Sequence, residues 1–82
     1  MPTAATPLST ATRTFGQRVR SRRHELELSQ EALAANAGLH WTFVGQVERG
    51  RRNLTLHNIL KLSAALKVDP GDLVHGLKPP KD

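Results

Sequence analysis

Leu28-Ser-Gln-Glu-Ala-Leu-Ala-Ala-Asn-Ala-Gly-Leu-His-Trp-Thr-Phe-Val-Gly-Gln-Val-Glu-Arg-Gly50 reads as two short helices hinged at one glycine. Ser29 suits an N-cap, where its hydroxyl can accept from the free backbone N–H groups of the following turn. Ala32, Leu33 and Ala37 fall on one face at helical spacing. Gly38 stands where the first helix must stop, at a position that often needs positive φ. Leu39 resumes the apolar pattern, and Val44 and Val47 continue it. The exposed side of the second helix is then left with His40, Trp41, Thr42, Gly45 and Gln46. Two helices joined by a glycine-containing turn are the signature of a helix-turn-helix, here at about residues 29–48.

Outward from this pair, a first helix is expected over about Thr12 to Glu27, with Phe15, Val19 and Leu26 on one face. Thr14 and Gln17 have capping-box spacing, with Thr12 as an alternative start. After the loop 50–54, Thr55 can cap a fourth helix whose stripe is Leu56, Ile59, Leu62, Ser63 and Leu66. Val68 leads into a last short helix, with Asp69 as cap, Pro70 at its first position and Asp72 in its first turn. Leu73, Val74 and Leu77 are its apolar residues. The expected architecture is therefore all-α: five helices, no strands, one folded domain over 12–77. Residues 1–11, rich in Pro, Thr, Ser and Ala, are expected to form a flexible arm, and 78–82 a fraying tail. Helices of two to four turns are marginal alone in water. Each stripe must close on the others, around Phe15, Val19, Leu33, Leu39, Val44, Val47, Leu56, Ile59 and Leu66.

The 82 residues leave room for one core. Twelve Lys+Arg against seven Asp+Glu give a net charge of +5, which favours a polyanionic partner, nucleic acid being the commonest. Charge alone is equally compatible with a merely solvated surface. There is no cysteine, so disulfides and thiolate metal sites are excluded, consistent with a cytoplasmic setting. No apolar run of about 18 residues is available to span a membrane, and Met1–Thr10 lacks the charged start and apolar stretch of a signal peptide. His24, His40, His57 and His75 have no zinc-ligand spacing, so no metal and no cofactor is expected. Glu25, Glu27 and Glu31 fall on helix surfaces, and no glycine-rich phosphate loop follows a strand. An enzyme is not expected.

Ser29-Gln30-Glu31-Ala32-Leu33-Ala34, then Gly38-Leu39, then Val47-Glu48-Arg49-Gly50, resembles the phage-repressor (Cro/CI, Xre) family of DNA-binding domains. Arg51-Arg52-Asn53-Leu54-Thr55-Leu56 is similar to the small controller proteins of restriction–modification systems within that family. The likeness spans about residues 13–77, and it implies a compact lambda-repressor-like domain. In a helix-turn-helix the second helix enters the major groove and its N-terminal residues reach base edges. Here those are His40, Trp41, Thr42 and, one turn on, Gln46. Gln46 can pair bidentately with adenine N6 and N7, and Thr42 offers a hydroxyl to a base edge and a methyl to thymine. Controller-like relatives commonly carry a long basic residue where this chain has Trp41. Its indole can instead pack on thymine methyls or deoxyribose, or fold back onto the domain or a dimer partner. Mid-helix Gly45 suggests close approach to DNA or to helix 2, or a tolerated surface glycine.

The resemblance also implies that Gln30 binds a phosphate, as suits a residue at a helix N-terminus. Arg49, Arg51 and Arg52, with Asn53, form the better phosphate clamp, whereas any one arginine of helix 1 is expected to be simply solvated. The resemblance pairs Arg23 with Glu48, an expected structural ion pair. Because one such module reads half a site, a homodimer on a near-palindromic operator is expected, with half-sites about 34–36 Å apart. Leu60, Leu73, Val74 and Leu77 are the candidate dimer residues, their alternative being plain core.

The function expected is sequence-specific double-stranded-DNA binding by a transcriptional regulator, as in restriction–modification controller proteins. Activation would require a patch that touches RNA polymerase, which the sequence does not locate. The alternative is an antitoxin-like protein-interaction module with secondary DNA binding. Trp41 and Phe43 favour that alternative, since tryptophan is also a hot-spot residue between proteins. Gln30, Arg51 and Arg52 argue against it.

Overall fold

A computed structural model of the chain describes residues 6–81. Its helices are α1 Thr10–Glu25, α2 Gln30–Ala37, α3 Trp41–Glu48, α4 Leu56–Leu66 and α5 Pro70–Val74, with no strand among the described residues. Three starts lie where local chemistry puts them. Ser29 Oγ accepts from the Ala32 N–H at 3.0 Å, Thr55 Oγ1 from that of Asn58 at 3.2 Å, and Asp69 Oδ2 from that of Gly71 at 2.7 Å. Gly38 closes α2 at φ 70°, the left-handed conformation that side chains disfavour.

The first helix departs from expectation at both ends. It starts at Thr10, two residues early, because Ser9 and Thr12 form the capping box in place of Thr14 and Gln17. A tertiary contact fixes that choice: Leu8 N–H and Thr12 Oγ1 both donate to the Gly50 carbonyl, each at 2.8 Å. Of the expected flexible arm, Thr10 and Ala11 are thus helical and residues 6–8 lie along the loop at Gly50; residues 1–5 fall outside the described residues. The helix ends at Glu25 rather than Glu27, which takes φ 58° and turns the chain. Residues 78–81 are non-helical, and Asp82 lies outside the described residues.

The core is Phe15 and Val19 of α1, Leu33, Ala34 and Ala37 of α2, Val44 and Val47 of α3, Leu62 and Leu66 of α4, and Leu73 of α5. The stripe of α4 runs out of neighbours at its first turn. Ile59 is half-buried, and Leu56, expected in the core, is 66% exposed. Two arginines of α1 are not merely solvated. Arg18 Nη1 donates to the carbonyls of Leu73 (3.2 Å) and His75 (2.8 Å), and Arg22 Nε to that of Leu66 (2.9 Å). Each cation meets the unpaired carbonyls at the end of a helix, α5 and α4 respectively.

α1 meets α3 backbone to backbone at Gly16. A Cβ there would lie 2.2 Å from the Val47 carbonyl oxygen and 2.9 Å from that of Glu48. Alanine is the better helix former by about 1 kcal/mol, yet Gly16→Ala must push the two helices apart. We expect a net loss of about 1–3 kcal/mol, read by thermal denaturation. A melting temperature at or above wild type would mean that α1 and α3 separate freely.

Candidate nucleic-acid interface

Val44 and Val47 fix the inward side of α3, so Trp41, Thr42, Gly45, Gln46 and Arg49 share the opposite arc. Trp41 is 50% exposed, Thr42 and Arg49 are exposed, and Gln46 is half-buried. The N-cap of α3 is His40, a residue outside the usual capping set. Its Nδ1 accepts from the Thr42 N–H at 3.2 Å and lies 2.8 Å from Thr42 Oγ1. A backbone N–H can only donate, so Nδ1 carries a lone pair and a neutral ring holds its proton on Nε2. The imidazole also stacks on Trp41, with ring centroids 6.1 Å apart. His40, expected from the sequence as a base reader, is thus also a cap, and its place just before the first helical residue is the signal for it.

Arg23 and Glu48 anchor this helix from beneath. Arg23 Nε and Nη2 donate to the two carboxylate oxygens at 2.6 and 2.9 Å, and Nη1 donates to the Leu28 carbonyl at 2.8 Å. Both residues are buried. The hydrogen bond to Glu48 raises the Arg23 pKa, outweighing the desolvation that lowers it. Gln30, at the start of α2, adds a third donor, Nε2 to Glu48 Oε1 at 3.1 Å.

Gly45 is not exposed, contrary to expectation. It is covered by Gln30 and Arg49, whose Oε1 and Nη1 would each stand 3.5 Å from a Cβ at this position. That is ordinary contact, so packing against α2 does not require glycine here. Gln30 and Arg49 therefore converge over the middle of α3, one from each flanking segment.

The loop after α3 carries the remaining cations. Arg51 Nη1 donates to the Thr6 carbonyl, which ties it to the segment before α1. Arg52 Nε donates to Gln46 Oε1 at 2.6 Å, and its guanidinium carbon stands 5.2 Å from the centroid of the Phe43 ring. Asn53 is exposed beside them.

Of the candidate dimer residues, Leu60 is 42% and Val74 38% exposed, and Leu77 is half-buried. Leu73 is only 2% exposed and belongs to the core, which removes it from any contact surface. A helix as short as α5 has one residue that can face inward fully, and that residue is Leu73. Leu56 takes its place on the exposed side: it lies four residues before Leu60, on the same face of α4. The helical period alone puts Leu56 in the core stripe, while its four-residue spacing from Leu60 is the signal for the exposed face. Among the described residues no three His, Asp or Glu side chains gather as metal ligands, and no helix is long and apolar enough to cross a membrane.

A family model described as Helix-turn-helix matches residues 19–73. Control protein C.BamHI of Bacillus amyloliquefaciens is 49% identical over 61 residues, spanning 73% of this chain and 75% of that protein. The fold superposes on the restriction–modification controller protein C.AhdI from Aeromonas hydrophila with a TM-score of 0.74 at 52% identity, over 76% of this chain and 94% of the other. It also superposes on the P22 c2 repressor, solved in complex with a synthetic operator, with a TM-score of 0.71 at 35% identity, over 76% and 94% of the two chains.

Proposed function

This chain belongs to the helix-turn-helix family, and from that premise we propose that it is a sequence-specific double-stranded-DNA-binding transcriptional regulator. It acts as a homodimer on a near-palindromic operator, in the manner of a restriction–modification controller protein. The observation that carries this is the surface of α3: Trp41, Thr42 and Gln46 on one arc, with Gln30 and Arg49 closing over Gly45 between them. Base reading falls to Gln46, Thr42, Trp41 and His40, and phosphate binding to Gln30, Arg49, Arg51 and Asn53, with Arg52 bonded to Gln46 at the edge of the reading arc. The Arg23–Glu48 pair holds α3 at its angle to the rest of the domain. Leu56, Leu60, Val74 and Leu77 form the face offered to a second copy. The protein works in the cytoplasm and performs no catalysis, and contact with RNA polymerase would decide between activation and repression.

Selection of bound duplexes from a random-sequence pool tests this, in roughly 0.15 M salt so that non-specific phosphate binding is suppressed. A near-palindrome with half-sites about 34–36 Å apart is expected. A pool that stays random through every round would overturn sequence reading by α3 and favour an antitoxin-like interaction module.

A further inference from the structure

Arg52 reaches back from the loop after α3 to the amide at the end of the reading arc. Its Nε is 2.6 Å from Gln46 Oε1, and its guanidinium carbon is 5.2 Å from the centroid of Phe43. Phe43 and Gln46 are three residues apart, hence neighbours on the helix surface. Stacking and hydrogen bonding therefore hold one guanidinium plane at two points.

A guanidinium has five donors and no acceptor, so the amide atom facing it has to be the oxygen. This sets the chemical face of Gln46. Its Nε2, with two hydrogens to donate, makes no hydrogen bond among the described residues, and neither do the Nη atoms of Arg52. A free glutamine suits adenine, accepting from N6 and donating to N7. One of the two lone pairs of the Gln46 oxygen is taken by Arg52, and the free nitrogens of the pair, Gln46 Nε2 and the Arg52 Nη atoms, are all donors. Guanine offers two acceptors in the major groove, N7 and O6, whereas adenine sets an amino donor where O6 would be.

We propose that Arg52 is a specificity-determining positioning residue, which holds Gln46 so that the pair reads guanine and disfavours adenine. This rests on the DNA-binding function proposed above. It also places a guanidinium at the reading face from the loop, where the first turn of α3 has Trp41 instead.

The test uses the full chain and selected duplexes. Comparing motifs chosen by wild type and by Gln46→Ala locates the base that Gln46 faces. Binding is then measured on two duplexes carrying guanine or adenine at that position, for wild type, Arg52→Ala and Arg52→Lys. Wild type should prefer guanine on the order of tenfold, the scale of a good bidentate contact, and Arg52→Ala should fall to roughly threefold or less. Lysine keeps the charge but has no planar fork to stack and donate together, so Arg52→Lys should retain more affinity than Arg52→Ala and lose the preference equally. Melting temperatures should match, since Arg52 is exposed. A plain phosphate contact would weaken both duplexes by the same factor and leave the preference intact, which overturns the proposal. Preference for adenine in wild type, or full discrimination by Arg52→Lys, overturns it too. Failure of wild type to select any motif is a different result: it sinks the regulator function itself, and this inference with it.

Discussion

Arg23→Ala should lose about 3–5 kcal/mol of folding stability, because it strands the buried Glu48 carboxylate. Wild-type Glu48 receives two guanidinium bonds at 2.6 and 2.9 Å and one from Gln30 at 3.1 Å. The variant keeps only the last, and it also leaves the Leu28 carbonyl without its Arg23 donor. Natural domains hold roughly 0.05–0.15 kcal/mol per residue, so such a loss could take most of what a chain this small has. Urea denaturation reads it directly, and a midpoint close to wild type would show that the pair is dispensable.

The double variant Arg23→Met/Glu48→Leu separates charge burial from geometry. Replacing a buried ion pair by apolar side chains is often neutral or stabilising, so much of the stability should return. DNA affinity should stay low if the pair sets the angle of α3. Alkaline titration is no substitute for mutation. Because the folded-state pKa of Arg23 is raised, its contribution is fully present below the free guanidinium's pKa. It is lost only as pH rises through the raised value, beyond any working range.

The second large effect is expected at Leu33, fully buried on α2. Leu33→Ala should cost about 2–5 kcal/mol, combining lost apolar transfer with an incompletely collapsed cavity. For a domain of this size each 1 kcal/mol lowers the melting temperature by about 4–8 °C, so a drop of roughly 10 °C or more is expected. Leu56→Ala is the matched control. The sequence pattern puts both leucines in the core, but Leu56 is 66% exposed, and at concentrations dilute enough for the chain to be monomeric its truncation should change stability by no more than about 0.5 kcal/mol. Equal losses at the two positions would mean that Leu56 is enclosed by its own domain rather than exposed at the start of α4.

Number and order of helices were legible because they depend on interactions within one or two turns. Ser29, Thr55 and Asp69 cap helices through bonds to N–H groups two or three residues away, and Gly38 needs only its own backbone freedom. The helical period likewise places Leu33, Val44, Val47, Leu62 and Leu66 on inward faces without reference to any partner. The candidate reading residues follow from the same period, as the remainder once the inward face of α3 is assigned.

What the chain order could not disclose is which distant group arrives at each local position. Either Thr14 or Thr12 could open α1 by sequence, yet Ser9 caps it, because Gly50, far along the chain, accepts from both Leu8 and Thr12. Leu56 and Leu73 are alike as sequence, but one stands at a helix start with no neighbour over it and the other is enclosed. Arg18 and Arg22 look solvated until the open carbonyls of α5 and α4 come within reach. Gln46 is the sharpest case. Its position on α3 follows from periodicity, while the orientation of its amide is set by Arg52 folding back over Phe43. Capping and periodicity are local energies and can be read from a string, whereas burial and hydrogen-bond polarity are properties of whatever group packing brings alongside.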